Sequence, residues 1–476
     1  MYDSRNKTGS VVLESELCLG ISGSPKERHM SSIQNVRIDR IDDCYIVSCP
    51  MHGSLSLLNS GELIAFNVYH HSEGSDRFCH ICHLFEQFGF NTEEAARRTE
   101  LFLGKLQEDG WGETVEGCIT DTPLQLIYLN VTKACNLSCP YCYQGNRHIQ
   151  HAHTTQNDFK TIVGKVKEIN SNCHIVITGG EPFLHPGIFR LLEHLQREGM
   201  MFSILSNGVL LTKATAKRLA RYGNLRNIQI SIDGFSKQVH SITRGNTFDS
   251  VMLGIQNAIK ARLPFSLAPT VHNGNVHEID RIAYFALSNN GEIAPNNLRY
   301  IPGNRMKHLQ LSSDNLVRSI NLMYDAVKRV DVGRLKSTRE RVKPTRCTPA
   351  SRGREVCGLG WSLLDIDWNG DVYPCHLLEI EELRLGNVVT DTFDTVFETV
   401  EHLGIRTSSL EISKCRSCHF ATSCAGGCRA DAYFHYGTFK REDSLCDSLY
   451  RFSVNNLVTL RSGNRVRDRQ FAILPT

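Results

Sequence analysis

Six short apolar runs, each ending in glycine or polar residues, alternate with amphipathic segments between residues 124 and 303. The runs are LQLIYLNVT, HIVITGG, MFSILSNG, NIQISIDG, PFSLAPTV and LRYIPGN, and the segments between them are 156–169, 188–198, 213–222, 249–262 and 277–288. Short β-branched runs that alternate with helical patterns indicate βαβ units around a parallel sheet. Six units predict an α/β fold, a partial (β/α)6 barrel over residues 120–330. In such barrels the chemistry lies at the C-terminal ends of the strands.

The flanking regions predict different structures. Residues 34–115 contain three strand-like runs and then helical patterns near 60–69, 77–88 and 92–109, the last beginning with the capping-box-like NTEE. This order predicts a small winged-helix-like α+β module. Residues 1–33 are rich in serine and charge and are expected to form a mobile extension. We place a cysteine-rich domain at 331–456 and a basic tail at 457–476.

Composition excludes several classes of function. The chain has 476 residues, 41% of them hydrophobic, and a net charge of only +3, which gives no indication of a nucleic-acid partner. Its N-terminus lacks the apolar stretch of a secretory signal, and no run approaches the roughly 18 apolar residues of a membrane span. Eighteen cysteines in such a chain indicate metal ligands and free thiols. We therefore expect a cytoplasmic protein without a membrane partner.

The most specific motif is the segment NVTKACNLSCPYCYQG, which follows the first predicted strand. It places Cys135, Cys139 and Cys142 in a C-x3-C-x2-C spacing. Three thiolates on one [4Fe–4S] cluster leave one iron with an open coordination position. An open position is what distinguishes catalytic from structural zinc sites, and the same reasoning indicates a catalytic cluster here. Zinc is the alternative, although the loop contains no histidine.

This loop, with Tyr141 before its last cysteine, resembles the cluster motif of the radical S-adenosylmethionine (SAM) enzymes. The TGGEP segment at the end of the second run resembles the element that receives the SAM amino group, and Arg244 resembles the arginine that pairs with the SAM carboxylate. The resemblance implies SAM contacts from Tyr141, Gly179, Gly180, Glu181, Pro182, Ser206, Asn207, Ser231 and Arg244. It also implies hydrogen abstraction from a substrate by a 5′-deoxyadenosyl radical. Each polar residue at a strand end could instead be a helix cap.

Asp233 lies at the expected mouth of the barrel and is our candidate catalytic residue. It could deprotonate a substrate cysteine or act on the radical intermediate. A contact to the SAM ribose and a strand-end cap are the alternatives.

The C-terminal cysteines match the SPASM extension of radical SAM enzymes. The resemblance implies two auxiliary [4Fe–4S] clusters, for a total of three. The implied ligands are Cys347, Cys357, Cys375 and Cys428 for the first, and Cys415, Cys418, Cys424 and Cys446 for the second. A pair of zinc sites, each with four cysteine ligands, is the alternative.

Seven cysteines remain unassigned, and three of them lie near a histidine in the N-terminal module. Cys49, His52, Cys79 and Cys82 have spacings that could form a zinc site, whereas buried cysteines acting as small hydrophobic residues are the simpler interpretation.

The N-terminal module resembles the peptide-recognition module of maturases that act on ribosomally made peptides, which bind a leader peptide as an added strand or in a helix groove. The three parts together resemble a radical SAM/SPASM peptide maturase, such as those that form thioether crosslinks in the small subunit of quinohaemoprotein amine dehydrogenase. The resemblance implies a cysteine-containing peptide or small protein as substrate and flavodoxin or ferredoxin as electron donor. Alternatives are C–C crosslinking or epimerisation of a peptide, formylglycine-type sulfatase maturation, and a non-catalytic iron–sulfur electron carrier. His376 follows Cys375 where sulfatase-maturing enzymes commonly have an aspartate, which counts against that activity.

Overall fold

The computed structural model describes residues 36–41, 44–49, 54–72, 76–109, 111, 123–144, 151–302, 306–330 and 357–461. The predicted extension at 1–33, His52 and Cys347 lie outside these residues. The helix that begins at Cys446 continues to Arg461, past the expected start of the tail.

The N-terminal module contains three antiparallel strands followed by three helices. They are β1 (Arg37–Ile41), β2 (Cys44–Cys49), β3 (Ser54–Leu58), α1 (Ser60–His71), α2 (Asp76–Gln87) and α3 (Thr92–Glu108). Asn59 and Glu62 form a capping box at the start of α1, which satisfies backbone groups that the first helical turn leaves unpaired. Val47, Leu58, Phe66, Ile81 and Leu106 form its buried core. The predicted order of elements is confirmed.

The barrel contains five consecutive parallel strands with helices between them. The strands are β4 (Leu126–Asn130), β5 (His174–Thr178), β6 (Phe202–Ser206), β7 (Leu225–Ser231) and β8 (Phe265–Ala268). The helices are α4 (Gln156–Ile169), α5 (Ile188–Glu198), α6 (Lys213–Leu219), α7 (Lys237–Arg244), α8 (Phe248–Lys260) and α9 (Ile279–Ser288). Helix α7, which ends at Arg244, was not predicted. The α/β fold class is confirmed.

The sixth strand lies earlier than predicted. The run LRYIPGN is not a strand where it is described; instead β9 (Thr270–Val271), β10 (Glu292–Ile293) and β11 (Asn296–Asn297) are short pieces. β10 pairs with β8, and β11 pairs with β9. Pro269 separates β8 from β9, and Pro295 separates β10 from β11. Proline has no N–H to donate, so it interrupts the ladder at both positions.

The cysteine-rich region extends the barrel sheet. After α10 (Ser313–Arg329) it contains β12 (Leu363–Ile366), β13 (Asp371–Tyr373), β14 (Gly386–Asn387), α11 (Phe393–His402), α12 (Ala421–Cys424), α13 (Arg429–Tyr436) and α14 (Cys446–Arg461). β12 pairs in parallel with β4, giving the order β10-β8-β7-β6-β5-β4-β12-β13-β14. One hydrophobic core runs through both regions. No helix within the described ranges is long and apolar enough to cross a membrane.

Candidate active site and auxiliary cysteine sites

The three-cysteine loop begins directly after β4 and is held by its own backbone. The amide of Cys142 donates to the carbonyl of Cys139 at 3.0 Å, and the amide of Leu137 donates to the sulfur of Cys135 at 3.4 Å. All three cysteines are half-buried. Burial raises the pKa of Cys135 and of Cys139 to about 11. A cation that replaces the proton is therefore needed to hold these sulfurs as thiolates near neutral pH.

The two glycines after β5 pack directly on this loop. A Cβ atom at Gly179 would lie 2.2 Å from the carbonyl oxygen of Thr132, and one at Gly180 would lie 2.2 Å from that of Ala134. Gly179 also has a φ of +135°, which side chains disfavour. The amide of Gly180 donates to Thr132 and the amide of Glu181 donates to Ala134, both at 2.8 Å. Glycine is therefore required at both positions because they pack closely against the backbone of the cysteine loop. This packing holds the two loops together.

Glu181 joins this pair of loops to the end of β6. Its buried carboxylate accepts hydrogen bonds from the Ser206 hydroxyl at 2.9 Å and from the Asn207 amide at 2.8 Å. The Asn207 side chain in turn donates to Asn136, inside the cysteine loop, at 2.8 Å. Burial raises the pKa of Glu181 to about 7, although these hydrogen bonds oppose the shift. The hydrogen bonds of the Glu181 carboxylate thus bring Glu181, Ser206 and Asn207 together in the structure.

The carboxylate of Asp233 receives four hydrogen bonds. One carboxylate oxygen accepts from the Tyr141 hydroxyl at 2.5 Å, from Thr243 at 2.8 Å and from Nε of Arg244 at 2.8 Å, while the other accepts from the Thr270 amide at 2.9 Å. Burial by itself would raise the pKa of Asp233, but Arg244 and the hydrogen bonds outweigh it and lower the pKa. Asp233 is therefore an ionised, fully buried acceptor between the cysteine loop and α7.

Arg244 is the last residue of α7, and this position brings its side chain to Asp233. Its side chain is only 9% exposed, and its guanidinium carbon lies 5.6 Å from the centre of the Tyr141 ring. Tyr141, Asp233 and Arg244 form one cluster, although about a hundred positions separate the tyrosine from the other two along the chain. Ser231, the last residue of β7, is half-buried two positions before Asp233.

The described auxiliary cysteines lie in loops and at helix ends of the C-terminal region. Cys428 precedes α13 and Cys446 begins α14. Asp443 connects them, because its carboxylate accepts from the Cys428 amide at 2.7 Å and its carbonyl accepts from the Cys446 amide at 2.9 Å. The same carboxylate pairs with the buried Arg299, which follows the short strand β11 of the barrel. Burial raises the pKa of Cys428 to about 11 and that of Cys446 to about 12.

A buried charged network at the junction of the two regions was missed by sequence reasoning. Lys133, two positions before Cys135, contacts Asp367 at 2.8 Å and Glu379 at 2.7 Å. Asn130, the last residue of β4, donates to Glu379 and to Asp365 at 3.1 Å. Burial and the neighbouring Glu379 raise the pKa of Asp365 well above its ordinary value. Asp365 lies in β12, and only the pairing of β12 with β4, which no local pattern indicates, brings these residues together.

The zinc site that the spacings of the N-terminal module left open as an alternative stays untested, because His52 lies outside the described residues. Cys49 is buried at the end of β2, whereas Cys79 is exposed on α2. Within the described residues, no three His, Cys, Asp or Glu side chains are arranged to hold a single metal ion.

Comparison with known proteins identifies two of the three parts. Residues 129–286 match the Radical SAM superfamily, and residues 357–419 match SPASM, an iron-sulfur cluster-binding domain. The chain carries a radical SAM domain and a SPASM domain. Its cofactors are therefore SAM and [4Fe–4S] clusters, including auxiliary clusters.

The chain is similar to several curated proteins. It is 28% identical to an AdoMet-dependent heme synthase of Nitratidesulfovibrio vulgaris, over 68% of this chain and 92% of that protein. It is 26% identical to the mycofactocin maturase MftC of Mycobacterium tuberculosis, over 66% of this chain and 80% of that protein.

Two solved structures share its fold. The structure of native anSMEcpe with bound AdoMet has a TM-score of 0.56 and 20% identity, and covers 71% of this chain and 99% of its own. Streptococcus suis SuiB bound to its precursor peptide SuiA has a TM-score of 0.56 and 16% identity, and covers 87% of this chain and 98% of its own.

The residues present fit iron–sulfur clusters. The donors are thiols, the preferred ligands of such clusters, and backbone amides donate to the sulfurs of Cys135 and Cys418, both at 3.4 Å. Hydrogen bonds to ligand sulfurs are among the features by which proteins adjust cluster potentials.

Proposed function

We propose that this protein modifies a ribosomally made peptide or small protein in the cytoplasm, and that it forms thioether crosslinks between a substrate cysteine and a carbon of the same peptide. The observation that carries the proposal is the three-stranded N-terminal module packed against the SPASM domain. β1 and β2 contact the segment that begins at Cys418, so a peptide held by the module would lie beside the cysteine sites. The mycofactocin maturase and SuiB, whose structure contains a precursor peptide, support a peptide substrate.

The proposed cofactor contacts follow the resemblance. Cys135, Cys139 and Cys142 would hold the SAM-binding cluster. When bound and reduced, that cluster and SAM supply a 5′-deoxyadenosyl radical that can remove a hydrogen atom from carbon. The proposed SAM contacts are Tyr141, Gly179, Gly180, Glu181, Pro182, Ser206, Asn207, Ser231 and Arg244.

The hydrogen bonds of Glu181 and Asp233 support a proposed role for each of these two acidic residues. Glu181 fixes Ser206 and the Asn207 backbone, so its proposed role is to orient the end of β6 toward SAM. Asp233 fixes Tyr141 and Arg244, and its four hydrogen bonds favour a positioning role over that of a general base. Its predicted catalytic role remains a prediction.

Thioether formation removes one hydrogen atom from carbon, one proton from a thiol and one electron. The hydrogen atom would end on 5′-deoxyadenosine, and the proton on a base or water. The electron requires a one-electron acceptor, a task that suits [4Fe–4S] clusters such as those of a SPASM domain. Flavodoxin or ferredoxin would supply the electron that starts each cycle.

Two other activities have specific observations for or against them. Sulfatase-type maturation is disfavoured because His376, half-buried beside Tyr128 and Tyr143 with ring centres 4.5 and 5.5 Å away, provides no carboxylate. Burial lowers the pKa of His376 to about 4, so the ring is neutral. Similarity to the heme synthases favours a tetrapyrrole substrate as the second candidate, but it leaves about a third of this chain unmatched.

The test is anaerobic incubation of full-length reconstituted protein with SAM, a reductant and cysteine-containing peptides encoded beside its gene, followed by mass spectrometry. Loss of two hydrogens per modification with a protected thiol is expected, and the same peptide with serine in place of cysteine is the matched control. Loss of two hydrogens with free thiols would instead indicate C–C crosslinking or dehydrogenation. Release of 5′-deoxyadenosine with an unchanged peptide, and turnover of an added tetrapyrrole, would overturn the peptide proposal.

A further inference from the structure

The N-terminal module is hydrogen-bonded to the loop that carries Cys418. Arg37 of β1 donates to the carbonyl of Cys418 at 2.9 Å. The ring of His419, the next residue, lies 2.7 Å from Asp39 of β1 through one nitrogen and 2.7 Å from Ser48 of β2 through the other. The His419 side chain is 1% exposed, so both nitrogens are committed to the module.

An apolar contact closes the same interface. Ile46 and Leu57 of the module form one buried cluster with Phe420. Cys418 and Cys424 pack against this cluster, and so does Cys44 of β2. The amide of Phe420 donates to the sulfur of Cys418 at 3.4 Å, so the residue that the module covers also supports a ligand sulfur. The module therefore shields one side of this cysteine set from water.

Arg37 adds a permanent positive charge at this interface, because a guanidinium does not lose its proton in proteins. Reduction of an iron–sulfur cluster adds one negative charge, and a nearby cation stabilises the reduced form. Asp39, two residues along the same strand, has the opposite charge, and its side chain is 54% exposed. Solvent therefore screens Asp39 more strongly than Arg37, which is half-buried.

We propose that Arg37 is a positioning residue of the second auxiliary cluster site and that its charge raises the reduction potential of the cluster held by Cys418. The N-terminal module is then a structural part of that site. The proposal rests on the assignment of Cys415, Cys418, Cys424 and Cys446 as one ligand set. It extends the proposed function, because the N-terminal module that we expect to bind the peptide then also sets the reduction potential of an auxiliary cluster.

The test is a redox titration of the full-length reconstituted protein, followed by electron paramagnetic resonance, for Arg37→Met, Arg37→Lys, Asp39→Asn and Arg40→Met. Arg37→Met should lower the potential of one auxiliary signal, changing its reduced-to-oxidised ratio at a fixed potential by about threefold, or about 28 mV at about 59 mV per tenfold change. Arg37→Lys should retain most of the wild-type potential because it keeps the charge. Asp39→Asn should shift the potential slightly upward. Arg40→Met, on the same strand with an exposed side chain, is the matched control and should not shift it.

The signs of the shifts separate an electrostatic role from a loosened interface. Shifts in the same direction for Arg37→Met and Asp39→Asn, or an equal shift for Arg40→Met, would overturn the proposal. An unchanged potential in Arg37→Met with full iron content would also overturn it. If Arg37→Met fails to fold, the upward shift of Asp39→Asn decides. Cys418→Ala tests the ligand set separately: full iron content in that variant would refute the assignment, whether or not the peptide proposal holds.

Discussion

The hydroxyl of Tyr141 donates a 2.5 Å hydrogen bond to Asp233, which joins the cysteine loop to the carboxyl end of the fourth barrel strand. The same carboxylate oxygen accepts from Arg244, so the orientation of an aromatic ring and of a guanidinium depends on one buried anion. Burial raises the pKa of Tyr141 well above its ordinary value, and the phenol therefore remains a donor at neutral pH. This arrangement makes Asp233 the centre of the candidate SAM site.

Asp233→Asn should destabilise the protein by about 3 kcal/mol, because it leaves the buried Arg244 without its counter-ion. Tyr141→Phe removes one hydrogen bond and should cost about 1 kcal/mol. Denaturant unfolding of both variants, together with their SAM dissociation constants, measures this difference. Wild-type stability and SAM affinity in Asp233→Asn with complete loss of peptide modification would instead support a catalytic role.

Replacing Cys135, Cys139 and Cys142 together with alanine should remove about four of about twelve irons, since each [4Fe–4S] cluster carries four. SAM cleavage should disappear while the auxiliary clusters remain. Iron analysis and detection of 5′-deoxyadenosine test this, with Cys79→Ala on the exposed face of α2 as the control that should keep both. Continued SAM cleavage in the triple variant would refute the cluster assignment.

Glu181 should make stability fall as pH rises from about 4.5 to about 7. The folded protein keeps the proton of Glu181 up to its pKa of about 7, whereas the unfolded chain releases it near 4.5. Protonation therefore stabilises the folded state at low pH, and this contribution, of the order of 3 kcal/mol, is lost as pH rises. Unfolding free energies between pH 5.5 and about 7.5 should show the decline in wild type and a flatter profile in Glu181→Gln. Identical profiles would place the Glu181 pKa outside this range.

Lys133→Met should cost about 3–5 kcal/mol, because it leaves Asp367 and Glu379 buried without their cation. Lys167→Met is the matched control: Lys167 and Glu198 form a pair in which both side chains are more than one third exposed, and its loss should cost less than about 1 kcal/mol. Urea unfolding of the two variants measures the difference. Equal small losses would show that the junction between barrel and SPASM domain does not depend on this lysine.

Local patterns identified most of the elements but not all their partners. The helices at 156–169 and 188–198 were predicted at their observed bounds because their apolar periodicity and caps are local signals. The sixth strand was misplaced because its pieces are two residues long and interrupted by Pro295, too short for any periodicity. Helix α7 was missed because its eight residues offer little pattern, and with it the placement of Arg244 beside Asp233.

The sequence alone indicated the chemistry that this chain can support. The cysteine spacing and the GGEP element are short, contiguous segments, so they can be recognised before the fold is known. How those features are supported emerged from the folded chain. Pairing of β12 with β4 buries Lys133 with Asp367 and Glu379, and docking of the module puts Arg37 against the carbonyl of Cys418, 381 positions away. Contacts between residues so distant along the chain depend on which strands pair and which domain surfaces pack together. The periodicity of a single segment does not encode either.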